Sequence, residues 1–111
     1  MAEPPVVAFA DARELRAWLE QQPVDTQGVW VRLGKAGSGI RSVTFLELLD
    51  AGLCFGWSES TRRPGDATTY LQRFSPRRRR GTASPRNRAR AERLIEQGLM
   101  TERGLAVLDL E

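Results

Sequence analysis

Histidine is missing altogether from the 111 residues, and cysteine and lysine each occur once, as Cys54 and Lys35. Without an imidazole, a Ser-His-Asp triad, a Cys-His pair and a histidine-ligated zinc site are all excluded. A single cysteine excludes an intrachain disulfide and gives no sign of an oxidising compartment. Cys54 lies between Leu53 and Phe55, an apolar setting that raises a thiol pKa and suits an inert core residue. Long apolar runs are also lacking. Val6 to Ala10 is far too short for a signal or a span, and no basic segment precedes it. The expectation is a cytoplasmic protein with no membrane span.

What is present in excess is arginine, which outnumbers lysine sixteen to one. The net charge of +3 hides a sharp division along the chain. Residues 1–61 carry five basic and eight acidic groups, a net of −3. Residues 62–93 carry eleven arginines against Asp66 and Glu92, a net of +9, and residues 94–111 return to −3. Compositional bias accounts for the choice of arginine over lysine but not for this clustering. A concentrated positive field attracts phosphate, nucleic acid, lipid headgroups or an acidic protein.

The length fits one domain, and 41% hydrophobic with 28% charged residues reads as globular. Residues 1–8, with Pro4-Pro5, read as a loose arm. Asp11 and Glu14 form a capping-box pattern ahead of Leu15, Trp18 and Leu19, which predicts a helix over about 12–21 with Trp18 in the core. Val29 to Leu33 alternates and is β-branched and aromatic, so it predicts a strand. Gly34 to Gly39 fits neither a P-loop nor a dinucleotide fingerprint and is read as a flexible turn.

Thr44 and Glu47 repeat the capping box before a short helix over about 45–53. Phe55 to Glu59 and Thr68 to Phe74 flank turn chemistry at Arg62-Arg63-Pro64-Gly65-Asp66 and read as an antiparallel pair. Pro76 is expected to end that pairing. Ser84-Pro85 is a serine N-cap with proline at the first helical position, and it opens a helix that closes at Gly98. On its wheel Asn87, Ala91, Leu94, Ile95 and Gly98 share one face. Thr101 caps a last helix to about Asp109. That helix is acidic, so a helix-turn-helix reading is set aside.

These elements predict a single α+β domain over 1–111. Its expected sheet is small, three-stranded and antiparallel, from about 29–34, 55–60 and 68–74, packed with about four helices. The candidate site is the junction at the C-terminal edge of the last strand. Arg73, Arg77, Arg78, Arg79, Arg80, Arg86, Arg88 and Arg90 straddle a loop and the first turns of a helix capped by Ser84. Guanidinium forks bind phosphate and carboxylate bidentately, and a helix N-terminus adds free N–H groups. Asn87, polar on an apolar face, either braces the preceding loop or meets a ligand. The competing reading of the cluster is a solvated face paired in part with the acidic N-terminal half.

Trp57 and Tyr70 are the candidate stacking surfaces should the partner be nucleic acid. Glu59 and Asp66 are the only carboxylates near the strand pair. Nothing in the sequence brings them together, so they read as solvated turn residues. No metal or cofactor site is expected.

Several motifs, in order, resemble the YdeI/OmpD-associated, or bacteriocin-protection, family of small bacterial proteins. They include Glu14-Leu15-Arg16-Ala17-Trp18-Leu19, Val29-Trp30-Val31, Leu53-Cys54-Phe55-Gly56-Trp57 and Arg73-Phe74-Ser75-Pro76-Arg77. Asn87, Leu94-Ile95 and Gly104-Leu105-Ala106 continue the match. Two departures stand out: Ser58-Glu59 replaces the family's Ile-Asp, and Ala83 stands where it often has tryptophan. The resemblance implies a bacterial α+β protein linked to porin expression and tolerance of bacteriocins, with no established catalytic residues. A basic patch repels cationic peptides, so an acidic partner fits protection better than peptide sequestration. The function expected is non-enzymatic binding or stress protection through an anionic partner held at the arginine-rich junction. The alternative is a nucleic-acid-binding module using the same patch. The sequence leaves the oligomeric state open.

Overall fold

The computed structural model describes residues 3–110. In chain order the elements are β1 (Val6–Val7), α1 (Ala12–Glu20), β2 (Val29–Gly34), α2 (Phe45–Phe55), β3 (Trp57–Pro64), β4 (Thr69–Pro76), α3 (Pro85–Glu96) and α4 (Glu102–Leu108). The strands form one four-stranded sheet in the order β1-β2-β4-β3. β4 lies antiparallel between β2 and β3, whereas β1 runs parallel to β2. The sheet is therefore mixed and four-stranded, not the three-stranded antiparallel sheet expected from the alternation pattern.

The extra strand comes from the segment read as a loose arm. Val6 and Val7 pair with Trp30 and Val31, and the Pro5 carbonyl accepts the Trp30 N–H at 2.9 Å. Proline lacks a donor but keeps its carbonyl, so Pro5 can still supply half of a sheet contact. Residues 1–2 lie outside the described residues. Pro76 likewise does not end the pairing: it is itself the last residue of β4, opposite Trp57. At that point β4 has passed the end of β2, so the missing proline N–H leaves no ladder bond broken.

Each helix starts where its side-chain chemistry directs. Asp11 accepts the Glu14 N–H at 3.0 Å, and Thr44 and Glu47 complete a reciprocal capping box at 3.1 and 2.9 Å. Ser84 accepts the Asn87 N–H at 3.2 Å, with Pro85 at the first helical position. Gly56 ends α2 at φ 78°, a left-handed conformation that lets β3 begin one residue later.

Every helix buries its apolar side in one core. Leu15 and Leu19, Leu48 and Leu53, Ala91 and Leu94, and Leu108 all belong to it, with Val29, Val31, Leu33 and Phe74 from the sheet. Phe9, Trp18, Trp57 and Phe74 form a chain of rings through its centre, with successive centroids 5.3, 5.5 and 5.0 Å apart. Such ring pairs add about 0.5–1.5 kcal/mol each beyond the area they bury. On α3 the helical wheel is half right: Ala91 and Leu94 are buried, but Ile95 is 39% exposed.

Among the described residues no helix buries its apolar side against the other face of the sheet. It carries Trp30, Arg32, Leu71, Arg73, Ser58, Ser75 and Arg63, set by strand alternation and register. Leu71 is buried there, outside the core cluster, in a row that is otherwise polar and aromatic.

Candidate anion-binding site

The arginines that cluster in sequence separate in space. Along β4 side chains alternate, so Arg73 points to the helix-free face, away from α3. Its guanidinium donates to the Gln27 carbonyl at 2.5 Å and the Val29 carbonyl at 2.9 Å, and lies 5.9 Å from the Trp30 ring. Burial, and then the neighbouring charge of Arg78, push its pKa down.

On α3 the arginines are tethers. Arg88 donates to the Leu108 carbonyl at 2.8 Å, tying α3 to the end of α4. That carbonyl lies in the last turn of a helix, where cations are favoured. Arg90 grips the Asp50 carboxylate of α2 through Nε and Nη2. Ser84 spends its hydroxyl on the helix cap, and the half-buried Asn87 contributes its backbone N–H to the same cap. The Asn87 side chain makes no hydrogen bond among the described residues, so it is not the brace expected of it.

What stays together is the loop itself. Ser58, Ser75, Pro76, Arg77, Arg78, Arg79 and Thr82 line a cleft of about 320 Å³ where the β3–β4 pair ends. Ser58 and Ser75 are register partners and face the same way. Arg77 is half-buried at the base, with its backbone N–H on the Gly56 carbonyl at 2.8 Å and its Nη1 3.5 Å from the Thr82 hydroxyl. Its Nε is buried without a hydrogen-bond partner among the described residues. Burial lowers the Arg77 pKa while the charge of Glu59 opposes that shift.

Arg78 and Arg79 are exposed, and their guanidinium groups make no hydrogen bond or ion pair among the described residues. Arg80 turns toward α4, 3.6 Å from Asp109. The cleft thus offers two available guanidinium groups and one half-buried guanidinium, with three hydroxyls in the same lining. That donor set can hold a phosphate or a carboxylate through charge-assisted bonds, and it contains no acceptor-rich cluster for a metal. Among the described residues no group of three or more Asp, Glu, Cys or His side chains could hold a metal ion.

The two stacking candidates fare differently. Trp57 is only 1% exposed and is walled in by Trp18 and Phe74, so no base can stack on it. Tyr70 is half-buried beneath the Arg62 guanidinium, whose carbon lies 4.7 Å from its ring centre. Sequence reasoning passed over Trp30, the aromatic of the helix-free face. Arg63 lies over its ring at 4.3 Å, and the alternation of Trp30 against Val29 and Val31 was the available signal.

Glu59 and Asp66 do not converge. Glu59 sits opposite Phe74, while Asp66 lies beyond Pro64 at the far end of the hairpin. The Asp66 carboxylate accepts the Thr69 hydroxyl and the N–H groups of Thr68 and Thr69 at 2.8–3.0 Å, which holds its pKa down to about 2. A smaller groove runs between α2 and α3, lined by Asp50, Arg90, Arg93, Leu94 and Gln97, with a volume of about 220 Å³. It continues past Arg16 to Cys54, whose thiol burial pushes upward in pKa. No described helix is long and apolar enough to cross a membrane.

No curated protein and no solved structure matches the chain. A family model described as a domain of unknown function (DUF8412) does match, over residues 7–107, and this covers every element from the second residue of β1 to all but the last residue of α4. The chain belongs to the DUF8412 family.

Proposed function

We propose that the protein is a binding module without catalysis of its own, which holds an anionic partner in the cleft at residues 75–82. The observation that carries this reading is the pair Arg78 and Arg79, exposed and without partners among the described residues, beside the hydroxyls of Ser58, Ser75 and Thr82. Two forks at one mouth suit a phosphate-bearing or multiply carboxylated ligand better than a single charge. The likeness to the YdeI/OmpD-associated family would set this binding in bacterial stress protection, through an acidic partner.

The test is calorimetric titration with inorganic tripolyphosphate at low salt. Arg78→Ala combined with Arg79→Ala should weaken binding at least tenfold. Arg86→Ala with Arg93→Ala removes the same charge from the exposed face of α3 and should change it less than threefold. Equal losses in both double variants would reduce the effect to net charge and overturn the site.

A second reading, single-stranded nucleic acid, is favoured by Trp30 between Arg63 and Arg73 on the helix-free face. A strand leaving the cleft could follow that face past Arg73 toward Arg32. Binding of a labelled oligothymidylate should then fall steeply with salt, with a logarithmic slope of roughly −0.7 per phosphate neutralised. Absence of binding at 20 mM salt would remove this reading and leave the first standing.

A further inference from the structure

A cleft larger than the one at the arginine loop lies elsewhere on the protein. It has a volume of about 410 Å³ and opens on the helix side of the hairpin, between the glycine loop after β2 and the start of α2. Gly34, Ala36, Ile40, Val43, Phe45 and Tyr70 give it a mostly small and apolar lining, while Ser42 and Thr44 add hydroxyls. Arg62 supplies its one charge. A volume in this range is that of a small-molecule site.

Arg62 is aimed there by a backbone irregularity. The β3–β4 register steps from Glu59 opposite Phe74 to Arg62 opposite Gln72, so β3 carries one residue more than β4 across the step. Without that bulge the alternation begun at Trp57 and Glu59 would turn Arg63 inward and Arg62 outward. Gln72, only 1% exposed, fixes the result. Its Nε2 donates to the bulge carbonyl of Thr61 at 3.1 Å, and its Oε1 accepts the Arg62 Nε–H at 3.1 Å. The guanidinium carbon then sits 5.0 Å from the Phe45 ring centre and 4.7 Å from that of Tyr70.

This is a prepared cation. One edge of the guanidinium is fixed by Gln72 and two aromatic rings lie against it. The Nη1 and Nη2 groups make no hydrogen bond or ion pair among the described residues. Two parallel N–H donors in that arrangement match a carboxylate. A single positive charge in an apolar cleft selects a monoanion, and Phe45, Tyr70 and Ile40 favour a flat or apolar group attached to it. We propose that this cleft is a second binding site, for a small organic monocarboxylate, oriented by Arg62 and independent of the arginine loop.

Benzoate is the probe, with benzamide as its uncharged isostere. Titration followed by backbone amide shifts should give saturable binding at millimolar benzoate. Shifts should centre on Gly34, Ser42, Phe45, Arg62 and Tyr70, and benzamide should bind at least tenfold more weakly. Arg62→Gln, a change at an exposed side chain, should abolish the preference for benzoate over benzamide. Arg78→Ala with Arg79→Ala should leave benzoate binding unchanged, which separates this site from the cleft at residues 75–82. No benzoate binding at 50 mM, shifts confined to residues 75–82, or an unaltered preference in Arg62→Gln would each overturn the proposal.

Discussion

Arg90 donates through both Nε and Nη2 to the carboxylate of Asp50, a residue forty positions earlier, and so clamps α3 onto α2. The side chains are 29% and 34% exposed, which places this pair between a surface bridge and a buried one. By charge pattern alone Arg90 counts as part of an anion site; in the fold its charge is already answered.

Arg90→Ala should therefore cost stability and not binding. A partly exposed bidentate pair is worth about 1–2 kcal/mol. In a domain of this size that lowers the melting temperature by roughly 4–8 °C for each kcal/mol. Urea denaturation of the variant measures the loss, and tripolyphosphate affinity should stay within threefold of the parent protein. A tenfold loss of affinity with unchanged stability would return Arg90 to the site.

Gly104 is a position where a single methyl group should be felt. A Cβ there would stand 2.3 Å from the Cys54 carbonyl oxygen, because α4 crosses the end of α2 at backbone contact. The same carbonyl accepts the Thr101 N–H at 3.1 Å, so it is not free to retreat. Gly104→Ala should destabilise by about 1–3 kcal/mol, the usual range for overpacking. A loss below 0.5 kcal/mol would mean that α4 shifts without cost.

Asp66 should make the hairpin acid-sensitive. Its folded pKa of about 2 lies below the ordinary aspartate value, so its contribution to stability is complete above that ordinary value. That contribution fades as pH falls toward 2. The gap in urea midpoint between the parent protein and Asp66→Ala should thus be full at pH 6 and smaller at pH 2.5. A gap that stays constant across this window would show that the carboxylate charge plays no part in the turn.

Cys54 should resist thiol reagents in the folded protein. It is wholly buried, and burial raises its pKa, so little thiolate is present or reachable at pH 7.5. Reaction with an aromatic disulfide reagent should run at the rate of unfolding and become immediate in 6 M guanidinium. Immediate reaction under native conditions would instead open the groove beside Arg16 as a reactive site.

The local elements were largely legible in the sequence, because capping residues and alternation act over a few residues. Asp11, Thr44, Ser84 and Thr101 each begin a helix as their side chains dictate. The sheet was less so. Nothing local tells that Val6-Val7 pairs parallel to β2, since that contact joins segments separated by a whole helix. The site was legible only as a region. Charge density in sequence treats Arg73, Arg78 and Arg90 alike, but strand alternation sends Arg73 to the outer face and helical periodicity turns Arg90 onto Asp50. Arg62 and Arg63 read together as turn chemistry in the sequence because the bulge that splits them between faces has no signature in residue type.

The proposed anion site has Arg78 and Arg79 at its mouth, on the loop rather than on α3. Titration of the nitrogen-15-labelled protein with tripolyphosphate at 20 mM salt distinguishes the two positions. Saturable amide shifts are expected at Ser58, Ser75 and residues 77–82, with little change over residues 85–96. Shifts spread along α3, or none at any of these positions, would contradict the site on the loop.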